Sequence, residues 1–122
     1  MEVYVEVNDN PSTPSTPSGP SQGIPGVTYT YTTSSTDPDG SHDRIKYKFN
    51  WGDGSTSWTD WYTPGATASA LHSWSNEGTY YVKAMAQDEN GATSGWSDAI
   101  TVTISSNETI EIAIKNQEII CT

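Results

Sequence analysis

Hydrophobic and polar residues alternate one by one along several short stretches of the chain. The clearest stretch runs from Ile45 to Trp51, where large apolar side chains share one parity and polar side chains the other. Because successive side chains of a β-strand point to opposite faces, this pattern predicts a strand with one buried face. The same alternation recurs in four further segments: 2–7, 27–32, 80–87 and 99–104.

Residues that favour turns separate these segments, as at 37–40 (Asp-Pro-Asp-Gly) and 76–78 (Asn-Glu-Gly). Residues 56–62 and 66–74 are predicted to be further short strands, and no stretch keeps a helical period. The pattern therefore predicts an all-β, antiparallel two-sheet sandwich of about seven strands. Its predicted core is Tyr29, Tyr31, Ile45, Tyr47, Phe49, Trp51, Tyr80, Val82, Ile100, Val102 and Ile104.

Residues 8–26 carry most of the prolines, which remove backbone donors and favour extended chain. This segment is either a stiff linker or an irregular edge strand. We expect residues 1–9 to be a strand or linker from a preceding module and 10–105 to be the sandwich domain. Residues 106–122 begin with alternation and then lose it, so they are left unassigned as a strand or tail.

The net charge of the chain limits which kinds of partner are expected to bind it. The chain has 15 acidic and 5 basic residues, a formal net charge of −10. Such a field repels nucleic acid and anionic lipid, so cations are better counter-ligands. No apolar run reaches the roughly 20 residues of a membrane-spanning helix, so no membrane insertion is expected. The lone Cys121 cannot form an internal disulfide.

Four of the five basic residues fall on the outward parity of two strands that we expect to be neighbours. They are Arg44, Lys46, Lys48 and Lys83. The pattern predicts a basic stripe on an acidic protein. The stripe is either a solvated face or a surface that packs onto an acidic neighbouring module.

The segment Gly52-Asp53-Gly54-Ser55 follows the clearest strand and allows three interpretations. A phosphate-binding loop needs a helix and a Lys after its glycines, and neither follows here. A single Asp flanked by glycines is a weak metal signal. A tight turn in which Asp53 bonds its own backbone is the favoured interpretation.

In order, the segments "YKFNWGDGS" and "HSWSNEGTYYVKAMAQDENG" resemble the polycystin-type repeat, or PKD domain, over roughly Pro11 to Ser105. The matching positions are Phe49, Trp51, Gly52, Asp53, Gly54, His72, Gly78, Thr79, Tyr80 and Asp88. Asn50 stands where the family usually has Asp, and the first two aromatic residues are transposed. The resemblance implies an immunoglobulin-like sandwich that serves as an extracellular spacer or adhesive module, often beside secreted peptidases or chitinases.

The resemblance also implies that three acidic segments meet at one pole of the sandwich. Calcium takes six to eight oxygen ligands and tolerates irregular geometry, and some PKD domains of secreted peptidases bind it at such a pole. The predicted metal ligands are Asn10, Asp37, Asp39 and Asp88. The alternative, weighed equally, is that these residues only hold turns.

Aromatic residues suggest a second kind of site. Trp58 and Trp61 are three apart, so a regular strand cannot hide both on one face. With Tyr62, they are candidate contacts for a carbohydrate or a protein partner, because aromatic planes stack on sugars. The alternative is that a turn lets both tryptophans pack.

No residues indicate catalysis. The chain has two histidines; His42 lies in a turn, and His72 matches a structural His of the family. Asn107 begins an Asn-Glu-Thr triplet, a candidate N-glycosylation site that would fit an extracellular location. The sequence predicts a non-catalytic extracellular spacer or adhesion module, with neighbouring domains of its own polypeptide, polysaccharide or other surface proteins as partners. A carbohydrate-binding module is the alternative.

Overall fold

The computed structural model describes residues 10–37 and 44–106. These described residues form seven strands: β1 (Gln22–Gly23), β2 (Tyr29–Thr33), β3 (Ile45–Asn50), β4 (Thr56–Trp58), β5 (Ala68–His72), β6 (Gly78–Asp88) and β7 (Ile100–Ile104). Within these two ranges there is no helix that could span a bilayer. The predictions for residues 1–9 and for the tail after Ser106 lie outside the described residues.

The strands form two sheets. One has five strands in the order β1-β7-β6-β3-β4, and the other pairs β2 with β5. The 11-residue β6 is the longest strand; it pairs with β7 along its first half and with β3 along its second. These pairings are antiparallel, whereas the two-residue β1 runs parallel to β7. The predicted two-sheet sandwich is confirmed, with this one parallel pairing in addition.

The core lies between the sheets and follows the predicted alternation. Eight of the eleven predicted core side chains are at most 1% exposed, and Tyr29, Tyr80 and Ile100 are half-buried against them. Ala84 and Ala86 are also fully buried and continue the inward parity of β6. Small residues there let the two sheets approach closely.

Several strand boundaries differ from the prediction, and the ends of β2 and β5 matter most for the core. β2 begins at Tyr29, and Val27 is 39% exposed because a turn at residues 24–27 precedes the strand. β5 ends at His72 rather than at Trp74. Trp74 leaves the sheet and is 1% exposed, with its Nε1 donating to the carbonyl oxygen of Trp51 at 3.1 Å. Its indole closes one end of the core.

The proline-rich segment is an irregular edge strand of the smaller sheet. Its amides donate at every third residue to carbonyls of β2 and the residues after it, at 2.8–3.0 Å, with Ser12 to Thr36, Ser15 to Ser34 and Ser18 to Thr32. The prolines before these serines, Pro11, Pro14 and Pro17, are buried. A three-residue period is that of the polyproline II helix, which returns every third side chain to one side. Proline therefore supplies the apolar face of this edge.

The described chain begins at one pole of the sandwich and ends at the other. Ser12 bonds Thr36, close to where β3 begins and β6 ends. Ser106 instead bonds the carboxylate of Glu77, just before β6 begins. At about 3.3 Å per residue, the 11 residues of β6 separate these poles by on the order of 35 Å.

The turn after β3 depends on two glycines with positive φ, Gly52 at 81° and Gly54 at 92°. A Cβ on Gly52 would lie 2.7 Å from the amide nitrogen and 2.8 Å from the carbonyl oxygen of Tyr81 in β6. A Cβ on Gly54 would have no atom within 4 Å. Glycine is thus required at position 52 for two reasons: the positive φ and the close approach to the backbone of Tyr81.

We expect Gly52→Ala to destabilise the domain more than Gly54→Ala. Gly54→Ala should cost about 1–2 kcal/mol, the strain of a left-handed alanine. Gly52→Ala should cost at least about twice as much, because the backbone of β6 must also shift. Urea unfolding of both variants measures the difference, and equal losses would contradict the close approach to Tyr81.

Candidate binding surfaces

His72 and Asp53 link the two sheets at the pole where Ser106 lies. His72 ends β5, and Asp53 lies in the turn after β3. The imidazole stacks on Trp51 with ring centroids 4.5 Å apart and an interplanar angle of 1°, and its Nε2 donates to Asp53 Oδ2 at 2.9 Å. The prediction that His72 is a packed imidazole rather than a catalytic base agrees with this geometry.

The same carboxylate also holds its own turn. The amide and hydroxyl of Ser55 both donate to Asp53 Oδ1, at 3.0 and 2.6 Å. Burial opposes ionisation, yet the hydrogen bonds from Ser55 and His72 hold the pKa of Asp53 below its ordinary value. In a catalytic triad the His lies between Ser and Asp. Here Asp53 lies between Ser55 and His72, so the group is a structural link.

The outer face of the five-stranded sheet carries both basic and aromatic side chains. We call this surface the basic–aromatic face; its members are Arg44, Lys46, Lys48, Lys83, Trp58, Trp61 and Trp96. β3 and β6 are neighbours, so the predicted basic stripe is present.

Each cation of this face lies near an indole ring. Lys46 Nζ is 4.5 Å from the ring centroid of Trp58 and 5.0 Å from that of Trp61. Lys48 Nζ lies 5.6 Å from the Trp58 ring, and Lys83 Nζ lies 5.1 Å from the Trp96 ring. Each such contact contributes about 0.5–1 kcal/mol at an exposed site.

The structure brings Trp58 and Trp61 to one face although they are three residues apart. β4 ends at Trp58, so the chain between them is not a regular strand. Trp58 is 44% exposed and Trp61 is half-buried. Tyr62 lies on the opposite side, where it bridges to Ile45 and its ring is 6.4 Å from that of Tyr47. The three candidate contact residues therefore do not form one platform.

Trp96 did not emerge from the sequence pattern as a candidate. It lies in the irregular segment before β7, which bonds to β6 through Ser94 and Ser97. The sequence gives one indirect signal for Trp96: the neighbouring strand β6 carries Lys83 among its outward-facing residues.

A cleft of about 500 Å³ opens between the edges of the two sheets. It is lined by Ser57, Trp58, Thr59, Asp60, Tyr62, Ser69, Ala70 and Leu71. Hydroxyls, one carboxylate and two aromatic rings thus face the same space, which has the size of many small-ligand sites. Two of the three predicted contact residues, Trp58 and Tyr62, line it.

Three of the predicted metal ligands, Asn10, Asp37 and Asp88, are described, and they lie near the pole of Ser12 and Thr36. Asn10 is exposed, whereas Asp37 is 5% and Asp88 1% exposed. Asp88 Oδ1 accepts the amides of Asn90 and Ala92 and so holds its own turn. Asp39 and the candidate glycosylation site Asn107 lie outside the described residues. Within 10–37 and 44–106, no three His, Cys, Asp or Glu side chains form a group that could hold a metal ion.

Similarity to a solved structure establishes the family of this chain. The chain is 40% identical to the PKD domain of an M14-like peptidase from Thermoplasmatales archaeon SCGC AB-540-F20, with a TM-score of 0.72. The match covers 82% of this chain and 100% of that domain. The chain belongs to the PKD domain family. The resemblance seen in the sequence is thereby confirmed.

The other comparisons give little further information about this PKD domain. The CARDB domain of a Pyrococcus furiosus protein, solved in complex with di-metal ions, is 12% identical, with a TM-score of 0.48. That match covers 81% of this chain and 97% of the other, and it is too distant to support an argument about metal binding. No protein-family model and no curated protein sequence matches this PKD domain.

We expect the domain to lose stability in acid partly through Asp53. Its carboxylate has a lowered pKa in the folded state, so its contribution is present above the unfolded pKa of about 3.9 and is lost as pH falls through the folded value. Asp53→Asn should therefore lower stability at pH 7 and flatten the decline below about pH 4. Urea unfolding from pH 7 to pH 2 measures both effects. Asp98→Asn, on an exposed loop, controls for loss of a charge, and an identical acid profile for wild type and Asp53→Asn would contradict the role of Asp53.

Proposed function

We propose that this PKD domain is a non-catalytic accessory module of a larger secreted or cell-surface protein and acts as a spacer between its neighbours. The observation that carries the proposal is the position of the first and last residues that the structure describes. Residues 10–12 and Ser106 lie at opposite poles of the sandwich. A domain of this kind adds its full length to a polypeptide instead of returning the chain to its starting point.

The PKD relative supports an accessory role. That relative is a domain of an M14-like peptidase, so a chain of this family is already known to belong to an enzyme's polypeptide. In the present chain, the charged group most similar to a catalytic site, Asp53 with Ser55 and His72, is engaged in holding a turn and an aromatic stack. An extracellular location forms part of the proposal.

Calcium is an additional element of this proposal. An ion held by Asp37, Asp39, Asp88 and Asn10 would neutralise acidic side chains and fasten the incoming segment to the sandwich. The burial of Asp37 and Asp88 at that pole supports a site there, while the turn bonds accepted by Asp88 support the alternative of turn residues only. A calcium-bound spacer should be stiffer at its first joint.

The spacer proposal predicts a long and narrow distance distribution between the two poles. Spin labels on Asn10→Cys and Ser106→Cys, with Cys121→Ser, should give a distribution centred on the order of 35 Å. Double electron–electron resonance measures it, and repeating the measurement with calcium and with chelator tests the calcium element separately. A broad distribution or a short distance in both conditions would refute the spacer role.

Carbohydrate binding is the second candidate function, and the cleft between the sheet edges favours it. The hydroxyls of Ser57, Thr59 and Ser69 face the same space as the rings of Trp58 and Tyr62. Sugars present both hydroxyls and apolar faces, so a lining of this composition matches them. Leu71, 64% exposed at the rim, adds apolar surface.

A polysaccharide panel separates the two candidate functions. The spacer role alone predicts no saturable binding to neutral polysaccharides such as cellulose, chitin or xylan. The carbohydrate role predicts saturable binding that Trp58→Ala weakens by about tenfold or more, since it removes a large aromatic contact from the cleft. Calorimetry of wild type, Trp58→Ala and Trp96→Ala makes the comparison, with Trp96 as the control tryptophan away from the cleft.

A further inference from the structure

All the basic residues that the structure describes lie on one face of the protein. The chain has five basic residues against 15 acidic ones, and four of the five belong to the basic–aromatic face. The fifth, Lys115, lies outside the described residues. A molecule with a net charge of −10 therefore presents a local positive surface. A flat sheet face of this sign is complementary to an acidic surface.

Among the described residues, three of these cations contact aromatic rings and form no ion pair with a carboxylate. The ion pairs between described residues are Arg44 with Glu89 at 2.5 Å and His72 with Asp53. The ammonium groups of Lys46, Lys48 and Lys83 lie over indole rings instead. An ammonium over a ring still has N–H groups available to an incoming acceptor. The rings thus fix the positions of the cations before any partner arrives.

The uncharged side chains of this face also have the composition of a protein interface. Trp96 and Trp58 are 38% and 44% exposed, and Tyr81, on the same outward parity of β6, is 59% exposed. Met85 is half-buried beside Lys48. Tryptophan, tyrosine, methionine and arginine are the residues enriched where proteins bind one another.

The ring contacts favour a polypeptide over a sugar at this face. Stacking on a sugar requires a free aromatic plane, whereas Arg44 and Lys46 lie over the Trp61 ring and Lys83 lies over the Trp96 ring. Carboxylates of a polypeptide can instead meet the ammonium groups while its apolar side chains contact the exposed ring edges. The face is thus suited to mixed acidic and apolar surface.

We propose that the basic–aromatic face docks onto an acidic polypeptide surface on a different domain or protein. The proposal rests on the accessory role and names the chemistry of the neighbour that the module contacts. Docking at the side of the sandwich would fix its orientation about its long axis, which end-to-end linkage alone leaves free.

Binding of the whole 122-residue chain to a Glu–Tyr copolymer tests this proposal. We expect saturable binding that weakens as sodium chloride is raised, because exposed charges are screened. Lys83→Gln and Trp96→Ala should each weaken it by about tenfold. Both residues lie away from the cleft, so the result is independent of carbohydrate binding there.

Thr30→Glu is the matched control for Lys83→Gln. It changes the net charge by the same single unit, but on the outward parity of β2 in the other sheet. It should leave binding within about twofold of wild type, since no contact is lost. Thermal melts check that every variant is folded. Equal weakening by Thr30→Glu and Lys83→Gln would overturn the proposal, because net charge rather than this face would then determine binding.

Three other outcomes would also overturn it. One is the absence of binding to the copolymer at low salt. Another is binding to polygalacturonate in preference to the copolymer, which would make an anionic polysaccharide the occupant. The third is a dimer in sedimentation that Lys83→Gln dissociates, which would make a second copy of the chain the occupant. None of these outcomes bears on the distance between the poles, so the spacer role is tested separately.

Discussion

Packing around Trp51 connects the two sheets, and the rest of the structure depends on it. The indole lies between Phe49 and His72, with ring centroids 4.9 and 4.5 Å away. Tyr31 and Trp74 meet it edge-on at 5.9 and 6.2 Å. Aromatic pairs of this kind contribute about 0.5–1.5 kcal/mol each beyond the area they bury. In a chain that is only 33% hydrophobic, a few large rings supply much of the core.

The polar N–H and O–H groups of Trp51 and Tyr31 have hydrogen-bond acceptors. Trp51 Nε1 donates to Ser57 Oγ at 2.9 Å, and Tyr31 donates to the carbonyl of Pro20 at 2.6 Å. The first bond attaches β4 to the core, and the second attaches the proline-rich segment. Because each partner sits in a different peripheral element, the central aromatic cluster also positions the edges of the sandwich. One of those edges carries the cleft, and β4 carries Trp58 of the basic–aromatic face.

The two surfaces proposed to bind partners arise from the same sheet order. β3 lies between β4 and β6, so its outward lysines have tryptophans on one side and Lys83 on the other. β4 is also the last of the described strands in its sheet, and its outer edge faces β5 across the cleft. Membership of the PKD family establishes the architecture. The proposed binding depends on these particular side chains rather than on the architecture alone.

The alternation of side chains determined the inward and outward faces of β3, β6 and β7, because a strand's period of two is a local property of the backbone. For the same reason the sequence showed that Lys46, Lys48 and Lys83 point outward. It did not show that Trp74 leaves β5 to close the core, or that Trp61 and Trp96 join the lysines, because those residues lie in irregular chain. It also could not show that Tyr62 faces away from Trp61. Only the tertiary structure decided these placements, since they depend on which strands become neighbours and on where each strand stops.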